Sequence, residues 1–321
     1  MAHIRVLFSG LSVAQTEEIR RQVPEMEAIS ARPGEMPEQV EDLDALVGLC
    51  TQELLRLGKK LRWVQVFDAG VEQYRFPELL NSDIVLTNTK IIQAPEVADH
   101  AIALLLALTR NIYQAIQTKE VWNTGESWEW PFPDTRPIEL HSKTAVVVGL
   151  GGIGIQIAER AASFGMTVLG VDPRDVPYTH AIRQAFKPDH LEELLPVADV
   201  LFIAAPLTRE TDGMLGEKQL GRMKPDAVLI NVSRGKLIRT EALVHHLRTR
   251  GLRGVGLDVT DPEPLSKDHA LWSFKNVLIT PHLAGQSDRN RARRFELVKE
   301  NVRRFARGLP LYNIVDKAKG Y

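Results

Sequence analysis

In the middle of this chain a strand, a glycine-spaced turn and a helix follow one another without a break, and few folds accommodate that order. Thr144–Val148 is apolar and β-branched enough for a buried strand, Gly149-Leu150-Gly151-Gly152-Ile153-Gly154 comes next, and Ile153–Phe164 reads as a helix. A second strand, Thr167–Val171, runs into Asp172, roughly twenty residues beyond the glycines. Gly149 allows the tight turn, Gly151 lets the backbone approach a pyrophosphate, and Gly154 lets the helix pack close to the strand. The helix start, with Gly152 and Ile153, offers unpaired N–H groups and a positive dipole end to a diphosphate. Asp172 would accept hydrogen bonds from ribose hydroxyls. The pattern predicts a doubly wound parallel sheet that binds a dinucleotide.

Four further strands are expected at Val200–Ile203, Ala227–Asn231, Gly254–Leu257 and Val277–Thr280. Directly after the last three stand Arg234, then Asp258 and Glu263, then His282. Ligands of open α/β sheets bind outside the carboxyl ends of the strands, so a guanidinium, carboxylates and an imidazole are expected to converge there. Each has a bland explanation alone: Arg234 as a surface charge, Glu263 as a loop acid, His282 as a satisfied histidine. Their joint placement favours a reactive site.

The rest of the chain supports a second α/β unit. With 321 residues, and roughly 100–200 per domain, two domains are expected. Ile4–Phe8, Ala45–Leu49, Arg62–Phe67 and Asp83–Leu86 read as strands, and the stretches around Thr16–Val23 and Glu53–Leu57 as helices. From Pro95 to about Thr118 the pattern predicts one long buried helix. Residues 122–140, with Trp122, Trp128 and Trp130 among prolines, read as an irregular arm packed on its own subunit or on a partner. From about Ser287 the tail reads as an amphipathic helix whose arginines form a solvated face.

The quoted motifs, in order, resemble the D-isomer-specific 2-hydroxyacid dehydrogenase family. Ala205-Pro206-Leu207-Thr208-Arg209-Glu210-Thr211 looks like its cofactor-side loop, and Met223–Asn231 leads into the arginine segment in the family manner. Leu257-Asp258-Val259 with Glu263-Pro264-Leu265 carries the acid, and Thr280-Pro281-His282 the histidine. The resemblance implies two doubly wound parallel-sheet domains. One is a Rossmann cofactor domain over 99–285, the other a flavodoxin-like substrate domain over 1–98 plus 286–321, with the active site in the cleft and a homodimer formed mainly through the cofactor domain. It also implies an oxidoreductase moving a hydride between a nicotinamide cofactor and a small 2-keto or D-2-hydroxy acid, in the manner of glyoxylate/hydroxypyruvate reductases. His282 would be the general acid, Glu263 its partner favouring the imidazolium, and Arg234 the clamp on carboxylate and carbonyl. Asp258 would accept from the nicotinamide carboxamide, with Pro206, Thr211, Val232 and Gly285 completing the cofactor contacts.

Two departures stand out. The substrate loop reads Phe67-Asp68-Ala69-Gly70-Val71-Glu72, with one glycine where the family usually has more; the N–H groups of Ala69, Gly70 and Val71 could still cradle a carboxylate. Lys236 and Arg239 follow the arginine motif, and Arg239 stands where the family often has an acid. Asp172 favours NAD(H), while Arg174 keeps NADP(H) as the alternative. Two other functions fit the fold: formate oxidation, against which Glu263 argues, and an NAD(H)-sensing regulator, which would need no Arg–Glu–His set.

Charge excludes other classes of partner. Forty Lys and Arg against 41 Asp and Glu give a formal charge of −1, without the positive excess that nucleic acid or an anionic membrane would attract. The single Cys50 excludes an internal disulfide framework and a Cys-rich metal site, and no signal-like segment opens the chain. A cytoplasmic enzyme without a metal is therefore expected.

Overall fold

The computed structural model describes residues 4–32, 40–119, 136–176 and 179–321. The chain divides into two compact units, Met1–Gln93 with Ser287–Tyr321, and Ala94–Gln286. The long helix begins at Ala94 and belongs whole to the second unit, where it packs on the Gly152–Ser163 helix and on strands of the larger sheet. A boundary at 98/99 would cut it.

The first unit holds a five-stranded parallel sheet in the order β2-β1-β3-β4-β5. Its strands are β1 Ile4–Phe8, β2 Met26–Ser30, β3 Ala45–Val47, β4 Trp63–Gln65 and β5 Val85–Thr87. This is the flavodoxin-like order. The Asn290–Ala306 helix closes one face with Phe295, Val298 and Val302 buried. Its fully buried Asn301 donates to Gln65 Oε1 at 2.9 Å and accepts from the Tyr312 N–H at 2.8 Å. Much of its positive charge is paired locally: Arg303 and Arg304 share Glu300, and Lys299 bridges Glu18 and Glu296. The two arginines hold the Glu300 carboxyl down at about 2.

The second unit holds seven parallel strands in the order β12-β11-β10-β9-β6-β7-β8. They are β6 Thr144–Val148, β7 Thr167–Val171, β8 Gln184–Phe186, β9 Val200–Ile203, β10 Val228–Asn231, β11 Gly254–Leu257 and β12 Val277–Ile279. Strand order reverses between β6 and β9, and both edges of that switch point bear loops suited to a ligand. Buried valines, leucines and isoleucines of the central strands feed apolar clusters on both faces, as a doubly covered parallel sheet requires.

Three local expectations need correction. β2 and β8 were not anticipated, because both are edge strands whose half-exposed sequences lack an apolar run. The helix expected over Pro95–Thr118 is two: Ala94–Thr109 and Ile112–Gln117, separated at Asn111, whose φ of 57° breaks the α-helical path. Of the arm, residues 120–135 lie outside the described residues; residues 136–140 have no regular structure, and Ile138 donates to Thr109 O at 2.8 Å.

Glycines in β11 let the long helix lie close to the sheet. A Cβ on Gly256 would fall 3.0 Å from Leu104 Cβ and 2.8 Å from Ile230 Cδ1, and one on Gly254 3.2 Å from Leu108 Cβ. Gly256→Val adds three carbons to a filled space and should lower unfolding free energy by about 1–3 kcal/mol. Urea unfolding checks this through a lower midpoint at unchanged slope.

Candidate active site

The dinucleotide turn is built by contacts that admit no side chain. Gly149 has φ +90°, and a Cβ there would meet the backbone of Ala204 and Ala205, at the end of β9, at 2.6–2.7 Å. A Cβ on Gly154 would lie 1.8 Å from Gly149 O, so the helix and the turn touch backbone to backbone. Above Gly151 the space is open, with only Arg174 Nη2 at 4.0 Å. Gly152 and Ile153 open the helix, whose first-turn N–H groups have no intrahelical acceptor. A cradle closed beneath and open above suits a pyrophosphate, so these residues fit a dinucleotide.

Asp172 lies at the end of β7, only 4% exposed. Its carboxylate accepts from Leu150 N–H (2.8 Å), Arg174 N–H (2.9 Å), Arg174 Nε (3.0 Å) and Arg174 Nη2 (3.2 Å). Burial alone would raise its pKa; the Arg174 guanidinium and the two N–H groups outweigh that and hold it below the ordinary value. Asp172 and Arg174, read from the sequence as rivals for the ribose, are thus a single ion pair. Across the switch point Thr211 Oγ1 donates to Pro206 O at 2.7 Å and accepts from Thr208 N–H at 2.8 Å, which closes the loop after β9.

The loop after β10 presents Arg234. Asn231, fully buried, caps it by accepting from Ser233 N–H (3.1 Å) and donating to Arg234 O (2.9 Å), while the Ser233 hydroxyl donates to Ala205 O. Val232 is buried beneath it, and Arg234 itself is half-buried, with Nη1 donating to Ser233 O at 2.8 Å. A Cβ on Gly235 would lie 2.0 Å from the carbonyl carbon and oxygen of Thr260. The arginine loop and the loop carrying Glu263 are therefore in backbone contact.

Glu263 Oε1 lies 2.5 Å from His282 Nδ1, and both side chains remain about half exposed. A carboxylate only accepts, so Nδ1 carries the hydrogen and Nε2 is the atom left to exchange a proton. His282 adopts φ 50°, sparsely populated for a residue with a Cβ. The strain is held by Asp258, 1% exposed at the end of β11. Its carboxylate accepts from Thr280 Oγ1 (2.6 Å), Leu283 N–H (3.0 Å) and Ala284 N–H (2.9 Å), and its carbonyl from His282 N–H (2.9 Å). Gly285 follows, half-buried, at the end of this turn.

One contributor was missed from sequence. His100, on the Ala94–Thr109 helix, has Nε2 2.9 Å from Thr280 Oγ1 and 3.5 Å from Asp258 Oδ1. Because the Thr280 hydroxyl spends its proton on Asp258, His100 Nε2 must donate to it. Its place beside Asp99, at the head of the apolar run Ala101–Leu108, was the only signal. In the first unit, the Ala69-Gly70-Val71 turn follows β4. Asn88 Nδ2 donates to Ala69 O at 2.6 Å and Tyr74 N–H to Val71 O at 3.0 Å, while no N–H of the three donates to a described residue.

The profile described as "D-isomer specific 2-hydroxyacid dehydrogenase, NAD binding domain" matches residues 102–284. The chain belongs to that family. A relative named glyoxylate reductase from Korarchaeum cryptofilum is 35% identical over 285 residues, covering 87% of this chain and 85% of its own. The glyoxylate reductase of Pyrococcus furiosus is also 35% identical, over 84% and 82% of the two chains. The crystal structure of a D-isomer specific 2-hydroxyacid dehydrogenase from Xanthobacter autotrophicus Py2, in complex with NADPH and MES, superimposes with a TM-score of 0.82 at 25% identity, over the whole of both chains. The chain is accordingly an NAD(P)-dependent dehydrogenase with a nicotinamide-binding Rossmann unit. No helix among the described residues is long and apolar enough to cross a membrane, and these residues hold no metal-ligating cluster.

The contact between Gly235 and Thr260 yields a test of this dehydrogenase. Gly235→Ala should push the Arg234 and Glu263 loops apart and lower kcat/KM for 2-keto acid reduction roughly 10²-fold, the scale of a misplacement near 1 Å. Steady-state kinetics on a variant with unchanged circular dichroism check it. Wild-type kcat/KM would show that the two loops do not depend on each other.

Proposed function

We propose that this protein reduces a small 2-keto acid of the glyoxylate or hydroxypyruvate type to its D-2-hydroxy acid. The observation that carries the reading is the His282–Glu263 pair, hydrogen-bonded at 2.5 Å in a unit that also presents Arg234. The glyoxylate reductases at 35% identity support the substrate class. A bound nicotinamide cofactor, held by Gly149, Gly151, Gly152, Ile153 and Gly154 with Pro206, Thr211, Val232 and Gly285, would supply the hydride. Arg234 grips the substrate carboxylate and polarises the carbonyl through its planar fork. His282 delivers a proton from Nε2 to the carbonyl oxygen, and Glu263 steadies the ring through Nδ1. Asp258 fixes the turn that aims His282 and keeps acceptor capacity on Oδ2 for an amide donor. The Ala69-Gly70-Val71 N–H groups contribute to carboxylate binding. A homodimer and a cytoplasmic location, implied by the family resemblance, belong to the same proposal.

The preferred cofactor is NAD(H). To meet a 2′-phosphate, Arg174 would have to leave Asp172, stripping a nearly buried carboxylate of its strongest partner. Ribose hydroxyls can donate to that carboxylate as the guanidinium shifts.

Two experiments test the reading. His282→Ala should lower kcat for glyoxylate reduction roughly 10²–10⁴-fold with little change in NADH binding, the range for losing an acid–base group. Near-full kcat in a folded variant would remove His282 from the chemistry. Asp172→Ala should lower the NADH-to-NADPH ratio of kcat/KM by about tenfold or more, because it deletes the hydroxyl acceptor and frees Arg174 for phosphate. A wild-type enzyme that prefers NADPH would overturn the cofactor assignment.

A further inference from the structure

Away from the residues assigned to dehydrogenation, the second unit carries a basic cavity. It has a volume of about 340 Å³ and opens between the Glu217–Leu220 and Thr240–Thr249 helices. Lys218, Arg222 and Arg250 line it with His245 and His246, and Glu217 is the one carboxylate in its wall. Arg222 spends Nε on Glu192 O and Arg250 spends Nη1 on Gly221 O, so each guanidinium keeps donors in hand. Lys218 reaches outward to Glu192 at 2.8 Å.

His246 marks the floor. It is 6% exposed, and its buried Nε2 has no hydrogen-bond partner among the described residues. A buried nitrogen without a partner carries an uncompensated desolvation penalty, which a ligand oxygen would relieve.

We propose that this cavity binds a doubly charged tetrahedral oxyanion, the phosphate group of a small phosphate monoester. Two guanidinium forks and an imidazole give the planar and directional donors such a group needs. The volume leaves room for a short carbon body. Burial first, then the Arg250 guanidinium and the neighbouring His245, hold the His246 imidazole below its ordinary pKa. Lys218 and Arg222 face it with the same sign and Glu217 with the opposite one. A dianion reverses that balance and draws a proton onto His246, so binding tightens as pH falls. The Thr240–Thr249 helix follows the Gly235–Leu237 turn beside Arg234, which gives the ligand a covalent path toward the arginine loop.

The test uses sulfate, whose charge is constant over the range, added to the NADH-saturated enzyme so that the dinucleotide turn is already filled. The readout is the ring signal of His246 in ¹³C-histidine NMR, assigned by its disappearance in His246→Gln. The signal should move saturably with sulfate, more tightly near pH 6 than near pH 8. Arg250→Gln should weaken the response about tenfold or more, and glycerol 2-phosphate should compete. Arg222→Gln serves as the second variant if Arg250→Gln does not fold. A His246 signal that stays fixed, or that moves equally with chloride at matched ionic strength, overturns the proposal.

Discussion

The buried carboxylate of Asp258 organises the reactive end of the second unit. A carboxylate excluded from water is tolerated only when donors surround it, and here three come from one turn, the Thr280 hydroxyl and the Leu283 and Ala284 N–H groups. Satisfying that charge forces the turn to wrap around the end of β11. Wrapping places His282 in a left-handed conformation, and that conformation brings its Nδ1 to Glu263. Strain at the histidine is thereby offset by hydrogen bonds at a residue that itself does no chemistry. His100 extends the arrangement to the long helix by donating to Thr280, so helix packing against the glycines of β11 bears on how the histidine is aimed.

The cofactor end follows a different logic. There the structure removes side chains, letting backbone meet backbone at Gly149, Gly154 and Gly235 where a methyl group would collide at 2.6 Å or less. Charge is handled by pairing: Asp172 and Arg174 neutralise one another at the rim of the cradle. In the proposed reading, the pair makes cofactor choice a contest between two partners for one carboxylate, in place of simple repulsion of a 2′-phosphate by Asp172. At both ends the buried carboxylates are matched within the unit. Gln114 Oε1 and His246 Nε2 are its buried side-chain atoms without a hydrogen-bond partner among the described residues, and His246 is the one that lines the basic cavity.

Much of this was legible in the chain itself, for identifiable physical reasons. Central strands of a parallel sheet are buried on both faces, so β6, β9, β10 and β11 stand out as apolar runs. Glycines that must approach backbone leave a spacing that can be read directly. The edge strands β2 and β8 left no such mark, because pairing with β1 and β7 defines them more than their own half-exposed side chains do. The break at Asn111 was equally silent, since Asn suits a helix surface and a left-handed residue alike.

The sequence by itself determined the residue types and their order: the glycines of the turn, and Arg234, Glu263 and His282 each just beyond a strand. Strand alternation and the carboxyl-end rule were enough to send them to one edge of a sheet, because direction in a parallel sheet is fixed by the crossover helices. Only the tertiary structure decided which charges pair. Whether Asp172 meets Arg174 two residues on, whether His100 reaches Thr280 far along the chain and whether His246 is left without a partner depend on differences of a few tenths of an ångström in how these groups are placed. Hydrogen bonding falls off within that distance, and no spacing along a sequence encodes it.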